Sequence, residues 1–326
     1  MIRRLLQRLS KSFRLAYVKH DAHRFEMDKK GKDTYCASES GAESVAIYSQ
    51  TMGRMGILGQ TDKTTLASCF FDFDMVLIEG LKGVQSLPKI VFLDSEAAIL
   101  KELEESDVLL TVSPDQRDDI DRVMRSIMSY FETMMAKRPL YGLVLTGGRS
   151  RRMGQDKAFL SYTKKPQYLE AIDLLKPVCD SVFLSCRADQ VSLYDKAVST
   201  ITDQFLGMGP LGGILSAQKA YPMASFLVLA CDLPYLNLDV IQHLLRMRNR
   251  YKLASAYKSS SDGLPEPLCA IYEPKSYALS LKSLAQGVTC PRKVLLTYDA
   301  ALLEPIQSGA LTNVNTPDEC NAVLLS

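Results

Sequence analysis

Short apolar runs alternate along the chain with segments in which apolar residues recur every three or four positions. Such runs are typical of strands, and the one at 75–80 is nearly all apolar, as expected for a parallel strand buried on both faces. The predicted strands lie at 14–18, 75–80, 88–93, 107–112, 141–146, 181–185, 200–203 and 226–232. Strands that alternate with helices predict an α/β fold with mostly parallel sheets.

Helical periods fill most of the gaps between these runs. At the start of the chain one helical face is apolar, which indicates the first helix of a folded domain rather than a targeting peptide. This face is formed by Leu5, Leu6, Leu9 and Phe13. The longest period covers about 118–136, and another lies near 166–175. The chain is therefore predicted to alternate helix and strand from its first residues onward.

The best candidate for a domain boundary follows the longest helical period. Pro139 interrupts the period, and a new strand begins directly after it. We therefore predict two domains, at 1–136 and 137–326, each a three-layer α/β/α domain. The polar stretch at 19–35 is predicted to be a loop of the first domain.

Composition and charge exclude several classes of partner. The 326 residues carry a net charge of +2 and are 47% hydrophobic, which argues against a nucleic-acid partner, and no apolar run approaches the roughly 20 residues of a membrane span. The eight cysteines are scattered, which favours free thiols in a reducing, cytoplasmic location. His20 and His23 have no evident third ligand, so a polar contact loop is expected there rather than a metal site.

Two glycines and several cations follow the strand at 141–146. Gly147 and Gly148 allow backbone N–H groups to converge on an anion because no side chain blocks the approach. Countercharge comes from the cations Arg149, Arg151, Arg152 and Lys157. The simpler alternative is a glycine turn followed by a solvated basic loop, but the fixed spacing of Gly154, Asp156 and Lys157 favours a phosphate site.

The segment at 147–157 resembles the signature loop GGxSxRMGxDK of the molybdenum cofactor guanylyltransferases, the MobA type of nucleotidyltransferase. Further motifs follow in the order of that family, namely KP at 165–166, TD at 202–203, GPLGG at 209–213, CDLP at 231–234, EPLCAIY at 266–272 and NVNTPDE at 313–319. The resemblance covers essentially all of 140–326. It implies a Rossmann-like fold and the transfer of GMP from GTP to the terminal phosphate of molybdenum-bearing molybdopterin.

The resemblance also implies a role for individual residues. Those expected to bind GTP are Leu145, Thr146, Gly147, Gly148, Lys157, Asp203 and Asp232. Asp232 is in addition expected to hold Mg²⁺, since a carboxylate at a strand end suits an ion that takes further ligands from phosphates and water. Lys157, Asp232 and Arg152 are the expected catalytic residues. Asn313 and Asn315 are expected to face the pterin substrate.

Each of these features also has a simpler structural interpretation. Asp232 could cap the next helix, and Asp203 could be an ordinary residue at a strand end. The glycines of the GMGPLGG segment, at 207, 209, 212 and 213, would either admit a flat base or open a helix at about 211. Thr316, Pro317 and Glu319 form a capping-box pattern, so that part of NVNTPDE is expected to be structural.

The sequence departs from the family pattern at two positions. Thr146 stands where the family usually has alanine, and Ser185 stands where an asparagine often contributes to nucleotide binding, which puts a guanine contact there in doubt. Related cytidylyltransferases carry AAG instead of a double glycine, so Gly147 and Gly148 favour GTP over CTP. This preference follows from the resemblance and not from a derived contact.

The first half resembles the MobB type of GTP-binding adaptor at 14–35, 74–82 and 88–90. Such adaptors have a P-loop fold, but the sequence begins at Met1 without the glycine-rich loop that would precede the first helix. The segment at 56–65 does not replace that loop, because Ile57 and Asp62 stand where GxxxxGK requires glycine. We expect an incomplete P-loop domain with weak or no GTP binding; a start assigned too far downstream is the alternative.

Glu79 resembles the carboxylate that ends a Walker B strand and could hold a magnesium-bound water, or it could be a buried strand-end acid with no surviving partner. For the whole chain we expect a fused adaptor and guanylyltransferase with GTP and molybdenum-bearing molybdopterin as substrates and Mg²⁺ as cofactor. Molybdoenzymes or cofactor-insertion proteins are the expected partners. The alternatives are a cytidylyltransferase, a sugar-phosphate nucleotidyltransferase and a non-catalytic nucleotide-binding scaffold.

Overall fold

The computed structural model describes most of the chain. The described residues are 1–19, 29–42, 44–49, 54–59, 69–70, 72–80, 84–85, 87–93, 103–146, 157–160, 165–307 and 309–314. The chain forms two compact units, 1–130 and 131–326. The division falls inside a helix that ends at Ala136, a short distance before the boundary predicted from Pro139.

The first unit contains short strands and few helices among its described residues. In chain order the elements are α1 (Ile2–Leu9), β1 (Leu15–Lys19), α2 (Asp33–Glu39), β2 (Ser44–Ser49), β3 (Arg54–Gly59), β4 (Met75–Glu79), β5 (Lys89–Phe92), β6 (Val108–Val112) and α3 (Ile120–Ala136), which continues into the second unit. β1 pairs with β4 and β5 with β6, both in parallel. β2 and β3 form an antiparallel pair.

Two predictions for this unit need correction, and one pair of strands was not predicted. The loop predicted at 19–35 ends earlier, because α2 begins at Asp33. The pair of β2 and β3 was not predicted; the glycines at 56 and 59 weaken the strand pattern of β3. β4 is parallel as predicted but is not buried on both faces: Met75 is buried, whereas Ile78 and Glu79 are exposed. His20 and His23 lie outside the described residues.

The predicted first helix is confirmed. α1 buries Leu5 and Leu9, and its arginines form ion pairs at the start of α3, where Arg4 contacts Asp118 and Arg8 contacts Asp121. Among the helices of the described residues, none combines the length and the apolar character that a membrane span needs.

The second unit is built on one seven-stranded sheet. Its elements are β7 (Leu140–Leu145), α4 (Gln167–Leu175), β8 (Ser181–Cys186), β9 (Thr200–Thr202), α5 (Pro210–Ala220), β10 (Ser225–Ala230), α6 (Leu238–Arg246), β11 (Ala254–Lys258), β12 (Pro265–Tyr272), α7 (Ser276–Ala285), α8 (Pro291–Thr297) and β13 (Ala301–Leu303). The strand order is β13-β11-β12-β10-β7-β8-β9. Only β12 runs antiparallel to its neighbours.

Helices cover both faces of this sheet, which gives the predicted three layers. Successive residues of a strand point to opposite faces, and the neighbours Leu143 and Val144 accordingly belong to two different apolar clusters. Val144 packs in the cluster that includes Ile172 of α4 and Ile241 of α6. Leu143 packs in the cluster that includes Ile214 of α5, together with residues of α7 and α8. The α/β class with mostly parallel strands is therefore confirmed.

A buried ion pair lies at the amino end of β10. Arg248 Nε donates to Glu273 Oε1 at 2.7 Å, and the two side chains are 6% and 1% exposed. Ser225 Oγ donates to Glu273 Oε2 at 2.8 Å, so the first residue of β10 belongs to the same group. Burial also lowers the pKa of the nearby Arg138, although the charge of Glu273 opposes that effect. The group ties the start of β10 to the residue that follows β12.

Candidate functional site

The sheet of the second unit changes direction beside its first strand, β7. From β7 the chain proceeds outward to β8 and then β9, and it returns through α5 to β10 on the other side of β7. In open α/β sheets the loops at such a switch point leave in opposite directions and open a crevice at the carboxyl ends of the strands. The carboxyl ends of β7 and β10 are therefore the expected ligand site of this fold.

Strand register brings the sequence-predicted residues to this edge. Ala230, Leu145, Ser185 and Ile201 are aligned across β10, β7, β8 and β9. Thr146, Asp203 and Asp232 each follow one of these strands within two residues. Side chains separated by up to about ninety positions in the sequence thus share one edge of the sheet, because the carboxyl ends of parallel strands lie at the same edge.

Thr146 is held in place by its neighbours. It is 3% exposed, and both its backbone N–H and its hydroxyl donate to the carbonyl oxygen of Ser185, at 3.0 Å and 2.9 Å. The hydroxyl of Tyr194 donates to Thr146 Oγ1 at 2.8 Å. Two of these bonds use the hydroxyl that distinguishes Thr146 from the alanine usual in the family, so Ser185 and Tyr194 accommodate the departure.

Asp203 is half-buried and is hydrogen-bonded through its side chain. Ser185 Oγ donates to Asp203 Oδ1 at 2.6 Å, and the Asp203 backbone N–H donates to the Cys186 carbonyl at 2.9 Å. Burial raises the pKa of the Asp203 carboxyl, while the Ser185 hydrogen bond and the charge of Arg187 lower it. The resemblance left Ser185 without a role. The structure shows that its side chain contacts Asp203, a residue expected to bind the nucleotide.

Asp232 follows β10 and is half-buried. It does not cap the next helix, because Asn237 is the N-cap residue of α6 and its side chain accepts from the Val240 N–H. The backbone carbonyl of Asp232 accepts from the Val314 N–H at 3.1 Å. Asn313, one of the two predicted pterin contacts, directly precedes Val314 and is exposed. The bond from Val314 therefore holds the chain next to Asn313 against the Asp232 backbone.

The donor set at this edge is compatible with Mg²⁺. Among the described residues no cluster of three or more His, Cys, Asp or Glu side chains could by itself hold a metal ion. Mg²⁺ typically needs only one or two protein carboxylates, because phosphates and water supply its other ligands. Asp232 offers hard oxygen donors of this kind at the crevice, so the residues present fit an ion that arrives with a nucleotide.

The glycines of the segment at 207–213 have structural roles. Gly207 and Gly209 have φ of 76° and 57°, which favours glycine, and Gly209 directly precedes α5. Gly212 and Gly213 lie inside α5, where an added Cβ would come within 2.3 Å of the Phe205 carbonyl oxygen and of Ser185 Oγ respectively. The opening of a helix is therefore confirmed, whereas approach to a flat base is not the reason for Gly212 and Gly213.

A methyl group at Gly213 is expected to disturb the packing of α5 against the site residues Ser185 and Leu145. We predict that Gly213→Ala destabilises the protein by about 1–3 kcal/mol, as overpacking of a full core does, because the new Cβ must displace Ser185 Oγ or Leu145. Urea titration measures the free energy of unfolding of this variant. Ala217→Gly, a change of one methyl group in the same helix, is measured beside it for comparison. A Gly213→Ala protein as stable as the unaltered chain would show that α5 does not pack on Ser185 as described.

Gly147, Gly148, Arg152 and Asn315 lie outside the described residues, as does the predicted capping box at 316–319. The backbone of Lys157 begins a 3₁₀ turn that ends at Phe159. Its expected contact with phosphates stays a prediction.

The sequence analysis did not identify Tyr194 as a site residue. Tyr194 contacts Thr146, which precedes the signature loop at 147–157, and Phe159, which follows it. Its hydroxyl reaches Thr146, and its ring stacks on Phe159 with centroids 5.2 Å apart. Tyr168 packs edge-on against the same ring. A single tyrosine at the end of a short polar turn carries no spacing signal, so only the structure reveals this role.

Comparison with known proteins agrees with this architecture. The model of the MobA-like NTP transferase domain matches residues 142–301, and that of molybdopterin guanine dinucleotide synthesis protein B matches 1–114. A molybdenum cofactor biosynthesis bifunctional protein of Synechocystis sp. is 38% identical over 186 residues, which cover 57% of this chain and 54% of that protein. The match thus spans about half the length of this relative.

Shorter relatives are covered almost completely. A molybdenum cofactor guanylyltransferase of Pseudomonas fluorescens is 30% identical over 182 residues, which cover 55% of this chain and 90% of that protein. A solved structure, that of molybdopterin-guanine dinucleotide biosynthesis protein A from Archaeoglobus fulgidus, matches with 22% sequence identity and a TM-score of 0.47. The match covers 57% of this chain and 97% of the Archaeoglobus chain. The chain therefore belongs to the molybdenum cofactor guanylyltransferase family through a MobA-like NTP transferase domain, which follows an N-terminal MobB domain.

Proposed function

We propose that the chain transfers GMP from GTP to the terminal phosphate of molybdenum-bearing molybdopterin. An oxygen of that phosphate attacks the α-phosphorus of GTP, the bond from the α-phosphorus to the bridging oxygen of the β-phosphate breaks, and pyrophosphate leaves. The observation that carries the proposal is the meeting of Thr146, Asp203 and Asp232 at the switch point of a MobA-like domain.

The chemistry of the site favours direct transfer to the acceptor. Cys186 and Cys231 are buried at this edge, and burial raises the pKa of the Cys186 thiol to about 11, so that thiol stays protonated and is a poor nucleophile at neutral pH. The acceptor phosphate supplies the attacking oxygen itself. The protein then has to position two anionic substrates and neutralise charge at the α-phosphate.

Each residue has a defined part in this scheme. Leu145 and Thr146 lie along the nucleotide, Asp203 helps to hold it, and Lys157 meets its phosphates. Asp232 would hold Mg²⁺, and the ion would supply positive charge to offset the charge of the phosphates. Asn313 contacts the pterin substrate beside Asp232. The product is a dinucleotide cofactor that molybdoenzymes or cofactor-insertion proteins would receive.

A nucleotide competition tests the proposal. The full chain is incubated with molybdenum-bearing molybdopterin, Mg²⁺ and equal amounts of GTP, CTP and ATP, and the consumed nucleotide is identified by chromatography. We expect consumption of GTP with release of one pyrophosphate for each dinucleotide formed. Consumption of CTP would assign the chain to cytidylyl transfer, and saturable binding of GTP without turnover would instead indicate a nucleotide-binding scaffold.

A further inference from the structure

Ser185 connects three strand ends at the proposed nucleotide site. Its carbonyl oxygen accepts from the backbone N–H and the hydroxyl of Thr146, which ties the end of β8 to the end of β7. Its own hydroxyl donates to Asp203 Oδ1 at 2.6 Å, which ties β8 to the residue that follows β9. One residue thus touches two of the expected nucleotide ligands.

The Ser185 side chain has little freedom to move. The residue is 1% exposed, and α5 presses on it so closely that an added Cβ at Gly213 would lie 2.3 Å from Ser185 Oγ. Since a rotated hydroxyl would meet packed atoms, the bond to Asp203 is the arrangement that the core permits. The packing of α5 against β8 therefore fixes the Ser185 hydroxyl, and this hydroxyl in turn orients the Asp203 carboxylate.

We propose that Ser185 is a positioning residue that holds the Asp203 carboxylate ready for the nucleotide. The proposal rests on the proposed function, in which Asp203 contacts GTP. Ser185 itself would not touch the nucleotide, since its hydroxyl is committed to Asp203. The residue that stands in place of the family's usual asparagine therefore acts through its neighbour.

The charge state of Asp203 depends on the same contact. In the part of the chain that the structure describes, the groups near its carboxyl are the Ser185 hydroxyl, the Arg187 guanidinium and the Cys186 thiol. Arg187 is itself paired with Asp189 at 2.9 Å. Burial raises the pKa of Asp203, and the Ser185 bond lowers it. Among the groups of the described residues, loss of the hydroxyl leaves Arg187 to oppose burial, so the pKa of Asp203 rises and the carboxylate is neutralised at a higher pH.

The first test is the Ser185→Ala variant in the GTP transfer assay. We expect KM for GTP to rise about 10- to 100-fold, as loss of a hydrogen bond to a charged group predicts, with KM for molybdopterin unchanged. We also expect the acid limb of kcat/KM for GTP to move to higher pH. The matched control is Ser255→Ala, because Ser255 is equally buried and hydrogen-bonded but lies near the amino end of β11.

A double-mutant cycle separates positioning from a loss of stability. In an Asp203→Asn background the Ser185→Ala change should add little to KM for GTP, because no carboxylate remains to be positioned. Additive effects on KM would overturn the proposal. So would a Ser185→Ala protein whose melting temperature falls while its KM for GTP and acid limb stay those of the unaltered chain.

The same experiments distinguish this inference from the proposed function. If the unaltered chain does not consume GTP, the proposed function itself fails. If the unaltered chain transfers GMP and Ser185→Ala behaves like Ser255→Ala, only the positioning role is wrong.

Discussion

Replacement of Asp232 by asparagine is expected to lower kcat for GMP transfer by about 10²- to 10³-fold, in the range found when one electrostatic contact to a developing charge is lost. Asparagine has nearly the same shape but carries no charge, so it holds Mg²⁺ poorly while the crevice keeps its form. Initial rates over a range of Mg²⁺ concentrations provide the measurement. The Mg²⁺ concentration for half-maximal rate should rise in parallel with the loss of kcat.

The control for this prediction is Asp239→Asn. Asp239 lies in the first turn of α6, shortly after Asp232, and is exposed, so its loss should leave kcat within about twofold of the unaltered value. A Asp232→Asn enzyme that retained full Mg²⁺-dependent transfer would show that the catalytic assignment is wrong.

The buried ion pair at the opposite edge carries the largest expected effect on stability. Glu273→Gln should lower the free energy of unfolding by about 3–5 kcal/mol, because removal of one partner leaves the buried Arg248 charge uncompensated. The lost carboxylate also accepted the hydrogen bond from Ser225. Urea titration followed by far-ultraviolet circular dichroism measures the loss.

A double variant serves as the control for this second prediction. Arg248→Met/Glu273→Met removes both charges and should recover most of the stability, since apolar residues of similar volume often replace a buried pair at little cost. KM for GTP of folded Glu273→Gln should be unchanged, because the pair lies at the amino end of β10 and not at the crevice. A loss below about 1 kcal/mol would contradict the structural role of the pair.

Much of the second unit could be predicted from its sequence because apolar runs and motif order are local features. The run that contains Leu143 and Val144 predicted a strand, and the structure places the two residues in the two opposite clusters. The placement of Asp203 and Asp232 at one edge also follows from sequence, since residues after parallel strands share the carboxyl edge of a sheet.

The contacts of the site could not be predicted, because they depend on register and packing. The bond from Ser185 to Asp203 needs β8 beside β9 in one register and α5 close behind, and no local pattern specifies either. The sequence marked β12 only as the motif EPLCAIY. Its antiparallel direction depends on its pairing with β10 and β11, which no local pattern specifies. In the first unit, the predicted burial of β4 failed because an apolar sequence does not determine what covers a strand.

The most direct test of the account follows the α-phosphate of GTP. The full chain, in excess over GTP labelled at the α-phosphorus, is mixed with molybdenum-bearing molybdopterin and Mg²⁺, and the products are separated after one turnover. We predict that the label appears in the molybdopterin dinucleotide and that pyrophosphate is unlabelled. Label that stays in GTP, or that becomes attached to the protein, would contradict the direct transfer of GMP to the cofactor phosphate.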